Sequence, residues 1–292
     1  MKGKAWTRIN IMKRLKFQLD RKSLEIIYIS FVRPIIEYAD VIWDNCTQYE
    51  KTELDKIQHE AARIVTGCTK LVSINQLSTE SGWESLESRR HKHKLILFFK
   101  MVSNCVPEYL SSLVPETVGQ ASQLNLRNSE NFRNVNGRTA QYSRSFIPSV
   151  INEWNALPDE AKHSDTIDSF KLYLNRGKTR PNQLFYYGER RLQVLHARLR
   201  TDCSSLNQHV FSCNIVDSPL CQCGVSETSK HFLLICPLFL VQRQILSNIV
   251  SPISNWSLNT LLFGDDNLSM ELNKTIFQAV HSFISSTKRF AS

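Results

Sequence analysis

The chain is short of the two residues that most often interrupt regular structure, with 9 Gly and 9 Pro among 292 residues, 42% hydrophobic and 22% charged. That scarcity argues against wholesale disorder and leaves enough apolar material for one large core or two ordinary ones; two domains are expected. Long apolar runs are also lacking, since none reaches the roughly 18 to 20 residues of a membrane-spanning helix, so no membrane partner is expected. Met1-Lys2-Gly3-Lys4-Ala5-Trp6 leads into no apolar stretch of the kind that directs export. The 8 cysteines are therefore expected to be reduced thiols of a soluble, intracellular protein, in the nucleus or cytoplasm. A Gly-rich phosphate loop, a nucleophile elbow and an internal repeat are missing as well, which removes the usual marks of a nucleotide hydrolase or esterase, and no small-molecule substrate is expected.

Acid is scarce in two places. The first 19 residues carry six bases and no acid, and residues 171–200 carry Lys171, Arg176, Lys178, Arg180, Arg190, Arg191, Arg198 and Arg200 against Glu189 alone. Residues 201–292 hold five bases and six acids, so the net charge of +9 resides upstream. Clustered rather than scattered bases are the electrostatic sign of phosphate binding. Phe185, Tyr186 and Tyr187 precede the predicted helix that bears Arg190 to Arg200 and could stack on unpaired bases; the alternative is that the rings plug a seam between domains while the arginines are solvated.

What is plainly present is Cys221, Cys223, His231 and Cys236, spaced Cys-x-Cys-x7-His-x4-Cys. Three thiolates and an imidazole form a zinc-type set that a structural site closes tetrahedrally. Residues two apart in a turn face one side, with Gly224 free to bend, so the first pair converges easily. His231 and Cys236 are harder, because five residues of continuous α-helix leave their side chains about 140° apart. Pro237 disfavours α geometry at Cys236 and can open a new helix, so it is expected to belong to the site. Alternatively these are buried core residues. Cys203 and Cys213 compete for a ligand position but read as core, and Cys46, Cys68 and Cys105 as lone buried residues.

Most of the chain has helical period. Leu24, Ile27, Tyr28, Phe31, Ile35, Tyr38 and Ile42 predict one stripe, capped by Asp20 and kinked or divided at Pro34. Thr47 and Glu50 form a capping box opening a helix with Leu54, Ile57, Ala61, Ile64 and Val65 inside, ended by Gly67. A third helix is expected over 84–103, with Leu95, Phe98, Phe99 and Val102 inside and its bases outside. Residues 114–145 read as loop or irregular strand, 146–155 and 167–174 as short helices, and 189–200, 232–248 and 270–289 as helices enclosing the cysteine cluster.

Catalytic alternatives are weak. Asp265-Asp266 lacks a third carboxylate at convincing spacing. Pro158-Asp159-Glu160-Ala161-Lys162 is contiguous where a nuclease needs its acids on separate strands. His91 and His93 sit in a basic helix and read as solvated or phosphate-contacting.

Ile26 through Trp43, Leu54 through Gly67 with Gln58, Ala61, Ala62 and Arg63, Leu86 through Lys100 with Arg89 and Arg90, Trp154-Asn155 with Leu157-Pro158, and Phe170-Lys171 resemble, in this order, the region after the palm in reverse transcriptases of non-LTR retrotransposons, especially the jockey-like group. His196 to Arg200, the Cys-Gln-Cys-Gly turn and His231 to Pro237 are similar to the zinc-knuckle segment that ends those polyproteins. The resemblance covers nearly the whole chain. It implies a mostly α protein: a thumb-like helical region over 1–113, an irregular stretch with short helices over 114–176, a linker over 177–188 and a small zinc-knuckle domain over 189–292. It implies RNA or DNA as partner, RNA favoured, with a palm supplied in trans as a further possibility. Such polymerases hold two metal ions on an aromatic-x-Asp-Asp sequence, and Tyr38-Ala39-Asp40 followed by Val41 does not provide it. The expectation is thus a non-catalytic nucleic-acid-binding portion of a reverse transcriptase with a structural zinc ion. A protein-interaction scaffold or an inert element remnant is the alternative.

Overall fold

The computed structural model describes residues 1–122, 128–177 and 181–291. Among them the chain is 63% helical with 18 α-helices and no strand, which agrees with the mostly α expectation. Lys178 and Arg180, two of the bases expected to contact phosphate, lie outside the described residues.

Asp20 caps the first predicted stripe, accepting from Ser23 N–H at 2.7 Å. The helix Arg21–Ile27 then passes into a π-helical turn, Tyr28–Val32, and resumes as Arg33–Ile36. The turn inserts an extra residue per hydrogen-bonded ring and shifts the apolar phase. The buried residues are therefore Leu24, Tyr28, Val32 and Ile36, whereas Phe31, Tyr38 and Ile42 are exposed. The predicted stripe is corrected on this point. Ala39, at φ +52°, ends the run in a left-handed residue, and Asp40 starts a new short turn.

The Thr47–Glu50 capping box is present, Thr47 N–H donating to Glu50 Oε2 at 2.9 Å and Glu50 N–H to Thr47 Oγ1 at 3.3 Å. It opens the helix Gln48–Thr66, whose five predicted inward residues are all buried. Gly67 closes it at φ +80°, with Val194 so near that a Cβ would collide at 2.4 Å.

The contacts divide the chain into two compact units that do not follow chain order. One unit gathers Met1–Lys2, Pro34–Lys56 and Glu84–Thr179. Its core is aromatic: Phe99 stacks on Phe170 at 4.6 Å, and Phe98 meets Phe132 and Trp154 edge-on at 5.3 and 5.2 Å. The helix Leu86–Val102 supplies Leu95, Phe98 and Phe99 as expected, but Val102 is exposed. Arg90 and Lys94 on that helix are buried instead, because Asp44 and Glu153 neutralise them: Lys94 Nζ lies 3.1 Å from Asp44 and 2.7 Å from Glu153. His93 Nδ1 lies 2.6 Å from buried Asp40. The irregular segment is pinned by Asn155, whose amide both accepts from Phe132 N–H at 3.0 Å and donates to Phe132 C=O at 2.9 Å. Asp159–Lys162 is one helical turn.

The other unit gathers Gly3–Arg33, Ile57–Trp83 and Arg180–Ser292. Phe232, Leu246, Val250, Leu261, Ile276, Val280 and Phe283 belong to one hydrophobic core of this unit. Three short helices of this unit, Ile74–Ser81, Asn207–Ser212 and Leu258–Phe263, are not among the predicted elements. Glu80 is buried in this unit with two buried arginines, held by Arg21 Nη1 at 2.7 Å and by Arg200 Nη2 and Nε at 2.8 and 2.9 Å. The Arg200 guanidinium also rests 3.8 Å from the Phe185 ring centroid.

Candidate functional site

Cys221 and Cys223 stand on a tight turn. Cys221 N–H donates to Val225 C=O at 2.8 Å and Gly224 N–H to Cys221 C=O at 2.9 Å, with Leu220 and Ser226 bridging behind. Gly224 takes φ +83°, a conformation that costs glycine little. The hairpin is tied down by Glu227, which accepts from Arg289 Nε and Nη2, each at 2.7 Å, and from Asn207 N–H at 2.7 Å. Burial alone would raise the Glu227 pKa, but these donors outweigh it and hold it below the ordinary value.

The second half of the cluster uses a device the spacing did not reveal. His231–Ile235 is a π-helical turn in which Cys236 N–H donates to His231 C=O at 2.8 Å. An i→i+5 ring brings residues five apart back toward one face, where an α-helix would separate them. Cys236 then leaves helical geometry at ψ 121°, and Pro237 opens a 3₁₀ turn at its first position. The expected part of Pro237 is thus joined by a π turn. Arg243, buried and without a carboxylate partner among the described residues, donates to the carbonyls of Leu233 at 3.0 Å, Phe232 at 3.3 Å and Cys236 at 2.6 Å. It caps the carbonyls that the broken helix leaves open.

The four side chains converge, with their candidate ligand atoms all within 4.8 Å of one another. Cys221 and Cys236 sulfurs are 3.6 Å apart, Cys223 and Cys236 sulfurs 3.9 Å, and Cys223 Sγ is 3.2 Å from His231 Nε2. Metal–sulfur bonds of about 2.3 Å around a tetrahedral ion imply sulfur separations of about 3.7 to 3.8 Å, so the donor set fits a metal ion. His231 Nδ1 is buried without a hydrogen-bond partner among the described residues, which leaves Nε2, facing Cys223, as the ring's engaged nitrogen. Burial, assisted by Arg243 and opposed by Glu227, lowers the His231 pKa and keeps the ring in its neutral, ligating form. Burial pushes the Cys236 thiol up to about 12. Cys223 is lowered despite its own desolvation, because the Val225 backbone and the neighbouring thiols favour its thiolate.

The remaining cysteines lie apart from this cluster. Cys68 and Cys203 are buried as expected, whereas Cys46 and Cys213 are half-buried and Cys105 is exposed, which corrects the expectation that these three are buried. Cys213 Sγ is 3.8 Å from His209 Nε2.

The predicted nucleic-acid residues separate by role. Lys171 pairs with Asp168 at 2.9 Å and Arg176 with Glu160 at 2.7 Å, both in the first unit. In the second, Arg200 is buried on Glu80 and turned away from solvent. Phe185 is buried; Tyr186 OH donates to Glu25 at 2.6 Å and Tyr187 OH to Gln278 at 3.2 Å. Burial and then Glu25 raise the Tyr186 pKa. Arg191 is exposed and donates to Phe290 C=O at 2.9 Å.

Arg190 and Arg198 end at a cleft of about 300 Å³ lined also by Lys13, Lys16, Arg63 and Lys70, with Glu60 the one acid. Arg190 donates to the carbonyls of Lys16, Val65 and Ile64 at 3.1, 2.7 and 2.6 Å, and Arg198 Nε to Gly67 C=O at 3.0 Å. Both therefore complement the C-terminus of the helix Gln48–Thr66. Burial, with Arg21 adding, lowers the Arg190 pKa to about 10, which still leaves it a cation at neutral pH. The two acid-poor segments of the sequence thus meet at one helix end. Lys13, Lys16, Arg63 and Lys70 are not among the residues predicted for phosphate contact; the first two belong to the basic N-terminal segment, and no local pattern distinguishes Arg63 and Lys70. Compared with known proteins, the chain matches no family model, no curated protein and no solved structure.

Proposed function

We propose that the chain is a non-catalytic, nucleic-acid-binding part of a retrotransposon reverse transcriptase, with a structural zinc ion held by Cys221, Cys223, His231 and Cys236. The observation that carries this reading is the cleft, in which six cations face one carboxylate at the end of a single helix. Such a field concentrates phosphate and releases its counterions on binding. Zinc suits three thiolates and an imidazole better than a hard cation does, and a site closed by four protein ligands is structural. When bound, the ion would supply cross-linking between the knuckle and the π turn. Arg243 and Glu227 orient those two segments through their own hydrogen bonds.

Salt-dependent binding tests the reading. Fluorescence anisotropy with RNA and DNA oligonucleotides at 50 and 200 mM salt is expected to show affinity falling steeply as salt rises, with RNA the tighter ligand. Affinity that is absent, or indifferent to salt, would remove it. Metal analysis of the purified protein is expected to find one zinc per chain, and none in a Cys221→Ser, Cys223→Ser variant; equal zinc in both would leave the cluster as core thiols.

A further inference from the structure

Within the cleft the cations are unequally committed. Arg190 spends all three guanidinium nitrogens on backbone carbonyls. Lys13 Nζ lies 2.8 Å from Glu60. Lys70 is exposed, and no ion pair engages Lys16, Lys70 or Arg198 among the described residues. Arg63 Nε is buried without a hydrogen-bond partner, and its Nη1 reaches Glu60 only at 4.0 Å. Arg63 therefore lines the cleft without a close ion pair, and its guanidinium charge is available to an anionic oxygen.

Phe17 lines the same cleft with 76% of its surface exposed. Lys16 Nζ lies over this ring, 4.7 Å from its centroid, so the aromatic face already holds a cation at the edge of the cleft. A large aromatic side chain left in water beside free cations matches what an unpaired nucleotide presents: one flat face and one phosphate. The bases of a duplex are already stacked on their neighbours and offer Phe17 no such face. A volume of about 300 Å³ lies at the small end of the range of ligand pockets, which suits one nucleotide rather than several.

We infer that this cleft holds a single unpaired nucleotide of a nucleic-acid strand, its base stacked on Phe17 and its phosphate received by Arg63, Lys70 and Arg198. The inference rests on the nucleic-acid reading above and narrows it to single strands.

The full chain is titrated by anisotropy against a labelled ten-nucleotide oligouridine, and against a blunt RNA hairpin of equal charge whose strands are joined by an ethylene-glycol linker, so that it holds no unpaired base. The unmodified protein is expected to favour the single strand. Phe17→Ala is expected to weaken the single strand by at least about fivefold, with hairpin affinity unchanged and Phe17→Tyr restoring binding. Lys70→Gln is expected to lower the logarithmic salt slope on the single strand by about 0.7. Phe211→Ala, which also removes an exposed ring of this unit, is expected to change neither ligand. Salt-sensitive binding with Phe17→Ala equal to the unmodified protein, or with hairpin bound as tightly as single strand, would overturn the inference while leaving the broader reading in place. Absence of binding to both would overturn the two together.

Discussion

Cys236 donates its backbone N–H to the carbonyl of His231, five residues back, at 2.8 Å. That single bond marks where the helix departs from α geometry, and it explains how two ligands with an unfavourable spacing reach one point. Arg243 then accepts the consequence, since it bonds the carbonyls of Phe232, Leu233 and Cys236 that a continuing helix would have used. Replacing Arg243 by Met is expected to weaken zinc affinity roughly 10- to 100-fold in chelator competition, the range typical of residues that orient ligands. Pro237→Ala is expected to act in the same direction, by letting the helix propagate through Cys236.

Glu80 is fully enclosed between Arg21 and Arg200. Desolvation would raise its pKa, but Arg200 first and then Arg21 overcome this and leave it below the ordinary carboxylate value. Glu80→Gln strands two guanidinium groups without a countercharge. It is expected to cost about 3 to 5 kcal/mol in urea unfolding, whereas Arg191→Gln, at an exposed position, is expected to stay within about 0.5 kcal/mol.

His281 is buried, its Nε2 3.3 Å from His196 Nδ1, and His196 Nε2 lies 3.0 Å from Leu261 C=O. Burial, reinforced by Arg200, lowers the His281 pKa to about 4. A folded value below the unfolded 6.5 means that folding favours the neutral ring; its contribution is full above pH 6.5 and is lost as pH falls toward 4. For this group alone, unfolding free energy is expected to drop by about 2 kcal/mol between pH 7 and pH 5. His281→Gln measured beside the unmodified protein should show a correspondingly shallower dependence.

Asn155 makes both backbone bonds of Phe132, so one side chain substitutes for a neighbouring strand. Asn155→Ala is expected to cost about 1 to 3 kcal/mol, and to accelerate amide hydrogen exchange at Phe132 more than in the helix Leu86–Val102.

Elements whose signals lie within one helical turn could be read before any coordinates. The Thr47–Glu50 box, the Asp20 cap, Gly67 as a terminator and the inward face from Leu54 to Val65 all act between neighbours three or four residues apart. The stripe from Leu24 to Ile42 misled because its period assumes an uninterrupted α-helix. A π turn at Tyr28–Val32 changes the phase and transfers burial from Phe31 to Val32. Arg90 and Lys94 misled for a related reason: charge predicts exposure only until a carboxylate from elsewhere arrives, here Asp44 and Glu153.

The ligand set of the candidate metal centre is written in the sequence, because the identity of four donors and the turn at Gly224 are local chemistry. So is the concentration of bases in two acid-poor segments. What those bases do depends on contacts made across the fold. Glu80 lies 59 residues from Arg21 and 120 from Arg200, and the Ile64 carbonyl lies 126 from Arg190. Over such separations, burial and countercharge depend on which elements pack together. A run of arginines therefore divided into Arg200 as buried ion pair, Arg190 as helix cap, and Arg198 as a cap that still faces the open cleft.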